Sequence, residues 1–332
     1  MRAPFERLRR RVGRLPGRPF SLRPILLDTD IGSDVDDALA LGVILAEPDA
    51  LELVAVTTVS GDARLRARIA ARLLGVAGRS RVEVCAGEEA PILRARNRFV
   101  WFGHEGKGLP DGPDATLSDE PAPERIVRAA REHAGLELVA IGPLTNLARA
   151  LAFDPKLPER VASLTVMGGH VRRVVLGGNE LPPGIDYNLC SDPEAAIAVL
   201  GAGFRTTLVT ADVTLQTWIG PADVERLAAR GAFARALVPM IHTWTAVQRR
   251  LFEEWGGPEP AEFAAFLHDP LTALVLVDPT PVRFEALHIV PTIESGILRT
   301  LEARGLGSEM RVATAVDAAA VRRAVVDRLA TL

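Results

Sequence analysis

The sequence predicts an α/β protein: one large domain built on an open, mostly parallel, twisted sheet flanked by helices in a Rossmann-like arrangement. Three observations predict it. From Pro24 onward, short apolar runs alternate with segments of helical spacing, as repeated strand-helix-strand units require. Several of the runs are apolar on both faces, which fits parallel strands covered by helices on both sides. At 332 residues and 48% hydrophobic content the chain can bury a large core, and no fixed-period repeat or separating linker interrupts the alternation.

In chain order, the strands are read in "PILLDTD", "LELVAVTTVS", "VEVCAG", "LELVAIGPL", "SLTVMGG", "RTTLVTADV" and "FEALHIVPTI". Between them, "DDALALGVILAE", "ARLRARIAARLLGVAG", "APERIVRAAREHAG", "PLTNLARALAF" and "DPEAAIAVLGAG" carry helical spacing. Asp192 and Pro193 are a cap and first-turn pair for the last of these. Residues 1–23, "MRAPFERLRRRVGRLPGRPFSLR", differ in kind: rich in Arg, with Glu6 as the only acid and no apolar core of a secretory signal. They are set apart as a basic, flexible extension, and residues 24–332 are read as the one folded domain.

Composition narrows the partners. A net charge of −3 gives no electrostatic footprint for nucleic acid. No apolar run approaches the roughly 18 residues of a membrane span. Cys85 and Cys190 are too few for a disulfide framework and fit a reducing compartment, so the expected location is cytoplasmic.

In open α/β sheets, ligands bind beyond the carboxyl ends of the strands. Polar clusters follow several predicted strand ends here: Asp28 to Asp37, Ser60-Gly61-Asp62, Gly142 to Asn146, and Met167-Gly168-Gly169. The first, "DTDIGSDVDD", holds five carboxylates in ten residues, and crowding them in a partly dry crevice disfavours their ionised forms. Helix capping accounts for one or two of them. An EF-hand is excluded, because a strand precedes the loop and Gly32 falls fifth rather than sixth. A phosphatase with Asp28 as nucleophile and Mg²⁺ leaves Asp36 and Asp37 unexplained. A hard cation that takes oxygen ligands is the economical reading.

From Ile25 nearly to the end, the chain resembles the nucleoside hydrolases of the inosine-uridine-preferring type. The opening motif stands as Asp28, Asp30, Gly32, Asp36 and Asp37, followed in order by "TTVSG", "GHEGKGL", "GPLTNLA", "MGG", "GN", "DYNLCSDPEAA" and "HDPLTALVL". The resemblance implies Ca²⁺ held by Asp30, Asp37, the backbone carbonyl of Thr145 and Asp269. It also implies attack of a metal-bound water on the anomeric carbon, with Asp30 as general base. Asp36 and Asp269 would accept hydrogen bonds from ribose hydroxyls, and Asn179 and Asn188 would hold others, including the 5′ end. Asp186 stands where the family usually has Glu. His104 and His268 match histidines that protonate the departing base, a task an imidazole suits near neutral pH. Trp101, Trp244 and His242 are candidates for the base pocket wall, although core packing explains an isolated Trp equally well.

Two departures bear on substrate. Two extra residues separate Gly32 from the Asp pair, so Asp34 competes with Asp36 for the ribose contact. The family Asn after the second strand is Asp62, a candidate ribose contact that adds negative charge. The expected activity is therefore Ca²⁺-dependent hydrolysis of ribonucleosides to base and ribose, with a nucleoside as partner and, by analogy, a homodimer or homotetramer. A non-catalytic Ca²⁺-dependent ribose-binding protein on the same fold is the reading from another class.

Overall fold

Leu26 and Leu27 point to opposite faces of the first strand, and that alternation organises the molecule. Leu26 joins Ala55, Leu138, Leu164 and Leu208 in one buried apolar cluster, while Leu27 joins Val56, Val139 and Val209 in another. Neighbouring side chains on a strand face opposite ways, so a run apolar at every position needs cover on both sides. The computed structural model describes residues 22–93, 103–176, 178–184, 186–255 and 262–332.

The chain runs β1 (Arg23–Thr29), α1 (Asp36–Leu45), β2 (Leu51–Thr58), α2 (Ala63–Val76), β3 (Glu83–Ala86), β4 (Leu117–Ser118), α3 (Ala122–Glu132), β5 (Glu137–Ala140) and α4 (Thr145–Phe153). It continues through α5 (Leu157–Arg160), β6 (Ser163–Met167), β7 (Val174–Leu176), β8 (Asn179–Leu181), α6 (Tyr187–Ser191), α7 (Pro193–Leu200), β9 (Thr206–Val209) and α8 (Ala211–Thr214). The last part holds β10 (Trp218–Ile219), α9 (Pro221–Ala228), α10 (Ala232–Trp255), β11 (Ala265–Phe266), α11 (His268–Leu274), β12 (Val282–Glu294), β13 (Ile297–Glu302), β14 (Ser308–Val316) and α12 (Ala318–Leu329).

Among the described residues, ten strands form one sheet in the order β13-β12-β14-β9-β6-β5-β1-β2-β3-β4. Every pairing from β14 to β4 is parallel, and β12 pairs antiparallel with both β13 and β14. After β1 the chain builds outward through β2, β3 and β4, then returns to place β5 on the other side of β1. That reversal opens a crevice beyond the carboxyl ends of β1 and β5, and the acidic loop leaves β1 directly into it. Phe233 of α10 and Leu329 of α12 bury in the cluster under Leu27, and Ile126 of α3, Leu147 of α4 and Val199 of α7 bury in the cluster under Leu26.

Each of the seven predicted strands and five predicted helices is present, and Asp192 caps α7 by accepting from the Ala195 amide at 3.2 Å. β1 begins at Arg23, one residue inside the stretch assigned to the basic extension. "FEALHIVPTI" belongs to a 13-residue strand whose two antiparallel partners the sequence reading did not separate. The reason is physical: β13 and β14 lie toward the sheet edge and carry Arg299, Glu302, Glu309 and Arg311, so their apolar signal is diluted. No helix among the described residues is long and apolar enough to cross a membrane.

Candidate active site

Two helices bring their first turns together at the crevice. α1 opens with Asp36 and Asp37 and α11 carries Asp269 in its first turn, where helix dipoles favour negative charge. All three are buried, and each offers an oxygen within 4.8 Å of the others. Asp36 Oδ1 accepts from the Asp37 amide at 3.1 Å and Oδ2 from the Asp269 amide at 3.3 Å, while Asp37 accepts the Thr29 hydroxyl. Asp269 Oδ1 is buried without a hydrogen-bond partner. Burial first, and then neighbouring carboxylates, push all three carboxyls well above their ordinary range. Orphaned buried oxygen and mutually repelling acids are what a bound cation relieves, and an all-oxygen donor set suits a hard divalent ion.

Above them lies a pocket of about 280 Å³. Its lining includes the carboxylates of Asp30, Asp34 and Asp186 besides the three above, and Ser33, Ile141, Met167, Tyr187, Asn188, Trp244, Gln248, Leu251 and His268. The lining thus combines carboxylates with apolar side chains. Burial raises Asp30 to about 6, the positive charge of Arg66 opposing it. Burial likewise raises Asp186 to about 6 against the backbone hydrogen bonds it accepts, including one from the Leu189 amide at 2.8 Å. Asn188 gives its amide hydrogens to the carbonyls of Ile141 at 3.0 Å and Met167 at 3.1 Å. His268 sits against Phe266 with ring centroids 5.0 Å apart, its Nδ1 2.6 Å from the Thr214 hydroxyl. Burial lowers its pKa to about 4, so the ring is neutral at pH 7.

Of the residues the sequence singled out, the structure brings Asp30, Asp36, Asp37, Asp186, Asn188, His268, Asp269 and Trp244 to this pocket, and Asp34 with them. Others stand elsewhere. Thr145 does not line it; its hydroxyl donates to Asp192 Oδ2 at 2.7 Å, joining α4 to α7. Asp62 is exposed and caps α2 by accepting from the Leu65 amide at 2.8 Å. Asn179 is exposed in the β7-β8 hairpin, opposite Leu176. His104 is one layer back: its Nε2 lies 2.6 Å from the Ser33 carbonyl, which makes it the donor, and its ring is 5.6 Å from that of Trp244. His242 is exposed, and Trp101 lies outside the described residues. Asp28 also lies off the pocket, its Oδ1 accepting from Thr57 and Asn146 at 2.7 Å each. A nucleophilic Asp28 therefore has no access from this pocket.

Three features escaped the sequence reading. In the turn after β5 it is Ile141, whose carbonyl accepts from Asn188, that lines the pocket, and Thr145 does not. Gly142 lets that turn approach the acidic loop: a Cβ there would lie 2.8 Å from Asp30 Oδ1 and 2.9 Å from its amide nitrogen. Trp244, Gln248 and Leu251 fall on one face of α10 at helical spacing, and Gln248 Oε1 is buried without a hydrogen-bond partner.

A parallel sheet with a buried carboxylate cluster at its switch point defines a class, an α/β protein with a cation-competent, sugar-sized pocket. The model of the inosine-uridine preferring nucleoside hydrolase family matches residues 25–323, and the chain belongs to that family. It is thereby an N-glycosyl hydrolase acting on ribonucleosides. The chain is 31% identical to probable uridine nucleosidase 2 of Arabidopsis thaliana over 330 residues, 92% of this chain and 97% of that one. It is 35% identical to the pyrimidine-specific ribonucleoside hydrolase of Enterobacter sp. (strain 638) over 77% of this chain and 79% of the relative. A solved plant nucleoside hydrolase superposes with a TM-score of 0.79 at 26% identity, covering 93% of this chain and 99% of its own.

Proposed function

We propose that this enzyme uses Ca²⁺ to hydrolyse the bond between base and ribose, with Asp30 as general base. The observation that carries the reading is the convergence of Asp36, Asp37 and Asp269 in a pocket that Trp244 and Leu251 also line. Asp30, Asp37 and Asp269 would hold the ion with the Ile141 carbonyl in place of that of Thr145. When bound, the ion supplies positive charge that lowers the pKa of a water and orients sugar hydroxyls.

The chain's own groups do the rest. The attacking water loses a proton to Asp30 as its oxygen bonds to the anomeric carbon; the carbon–nitrogen bond breaks with its electron pair going to the base, which takes up a proton from solvent, and Asp30 later releases its own to solvent. Asp36 and Asp269 retain lone pairs for ribose hydroxyls, Asn188 has Oδ1 left for the same purpose, and Asp186 lines the same pocket. At the leaving group, His268 acts from its neutral form: with Nδ1 facing Thr214, Nε2 is the nitrogen left to donate a hydrogen bond to the base. Trp244 and Leu251 offer apolar surface to the base, and Gln248 an amide that reads its polar edge. His104, committed to the Ser33 carbonyl, supports the loop instead of touching substrate. Assignment of Asp62 and Asn179 to substrate would require both loops to move. A cytoplasmic homo-oligomer with residues 1–22 as an appended basic segment completes the proposal.

The test is ribose release from a panel of purine and pyrimidine nucleosides by chelator-treated protein, with and without added Ca²⁺, for wild type and Asp30→Asn. Calcium-dependent release by wild type and loss of at least about 10²-fold in the variant are expected. Release that is indifferent to chelator, or equal in both proteins, would refute the assignment.

A further inference from the structure

Among the described residues, the largest fully buried side chain is a cation. Arg66 of α2 is 1% exposed and packs on the face that carries Ala63, Ala67, Ile69 and Ala70. Burying a guanidinium is costly unless its donors are met. Here Nε donates to the Ser60 carbonyl at 2.7 Å, Nη1 to the carbonyls of Asp30 and of Ile31, the latter at 3.0 Å, and Nη2 to the Ser33 hydroxyl at 3.1 Å. These acceptors come from the loops after β1 and β2, and the planar fork of Arg fixes their relative positions in a way a Lys ammonium cannot.

The seat extends to a third segment. Ser33 Oγ donates to Glu105 Oε1 at 3.2 Å, Glu105 Oε2 accepts from the Gly103 amide at 2.7 Å, and His104 Nε2 donates to the Ser33 carbonyl at 2.6 Å. Ser33 therefore links the 103–105 segment to the acidic loop, and Arg66 holds Ser33. Electrostatics alone makes the arrangement puzzling, since a fixed positive charge beside a cation site opposes the incoming ion. A gain in geometry must outweigh that repulsion.

We infer that Arg66 is a positioning residue, whose hydrogen bonds to the Ser60, Asp30 and Ile31 carbonyls and the Ser33 hydroxyl set the acidic loop in the shape that binds the cation, and that Ser33 and Glu105 extend this clamp to residues 103–105. The inference rests on the cation reading of the pocket given above. It makes Arg66 a device of geometry, and the two possible effects of its charge and its shape have opposite signs.

Isothermal titration of Ca²⁺ into chelator-treated protein separates them. Loss of like charge alone would make Arg66→Met bind Ca²⁺ more tightly than wild type; loss of positioning makes it bind about tenfold or more weakly, the size typical of groups that orient metal ligands. Arg66→Lys keeps the charge but not the fork, and several-fold weakening is expected there too. Ribose release by either variant should recover at Ca²⁺ concentrations above the shifted Kd, a rescue that general destabilisation would not give. Equal or tighter binding by Arg66→Met, wild-type binding by Arg66→Lys, or no recovery with Ca²⁺ overturns the inference. If Arg66→Met fails to fold by circular dichroism, Ser33→Ala decides: it keeps Arg66 and removes one acceptor and the link to Glu105, and unchanged Ca²⁺ affinity overturns the inference. Absence of both Ca²⁺ binding and ribose release in wild type would instead sink the underlying reading, and is seen before any variant is made.

Discussion

Replacing Gly142 by alanine puts one carbon where the turn after β5 meets the acidic loop. The added Cβ would lie 2.8 Å from Asp30 Oδ1, 2.9 Å from the Asp30 nitrogen and 3.0 Å from Val59 Cγ1. Two of these are closer than carbon approaches oxygen or nitrogen without a bond, and one neighbour is backbone, so the loop must shift. Overpacking of this kind costs about 1–3 kcal/mol. Displacement of a catalytic carboxylate by the order of 1 Å costs roughly 10²-fold in rate. The expected outcome is a urea midpoint lowered with unchanged slope and a kcat for ribose release reduced about 10²-fold. Gly112→Ala is the control: its Cβ would meet nothing nearer than Val76 Cγ2 at 3.6 Å, and wild-type kcat is expected. Wild-type kcat in Gly142→Ala would refute the claim that Asp30 is held at catalytic register by this contact.

The buried titrating groups make the stability of the protein depend on pH. Burial raises Asp28 to about 7 and Asp30 to about 6, and an acid raised on folding contributes stability that is full below its unfolded pKa and lost as pH rises through the folded one. Metal-free protein is thus expected to lose stability between about pH 4 and 7, with roughly 3 kcal/mol from Asp30 alone. His268, lowered to about 4 by burial, works the other way below its unfolded pKa near 6.5, but the raised carboxyls outnumber it. Added Ca²⁺ should raise the thermal midpoint, and by more at pH 8 than at pH 5; a Ca²⁺ effect that shrinks as pH rises would contradict the cluster's role. His268→Ala, which removes the hydrogen bond to the departing base, should lower kcat for natural nucleosides by about 10²-fold, yet cost a nitrophenyl riboside, whose leaving group is stable as an anion, under about tenfold. Equal losses on both substrates would remove His268 from the leaving-group step.

What was legible in the sequence was local. The acidic loop announced itself because five carboxylates in ten residues have no cheap structural explanation, and the doubly covered strands around it were readable from their unbroken apolar runs. Asp269 could be placed because its motif stayed intact far along the chain. Arg66 was invisible: it is one of four arginines in α2, at positions 64, 66, 68 and 72, and nothing in that pattern marks the one that turns inward. Ile141 was missed because a backbone carbonyl carries no side-chain signature, and the family motif placed the carbonyl ligand four residues on, at Thr145, which does not line the pocket. His104 was read as catalytic from its motif, yet a histidine near a pocket is as readily a donor to a loop carbonyl. Gln248 and Trp244 lie one helical turn apart on a long helix, and only the fold shows which face meets the site.

The claim at the centre is that the buried carboxylates at the rim of β1 and β5 form one divalent cation site. Calorimetric titration of Ca²⁺ into chelator-treated protein tests it most directly. One ion per chain in wild type, and binding weakened by at least about tenfold in Asp37→Asn and in Asp269→Asn with the fold intact, is the predicted result. Binding of wild-type strength in both variants would contradict it.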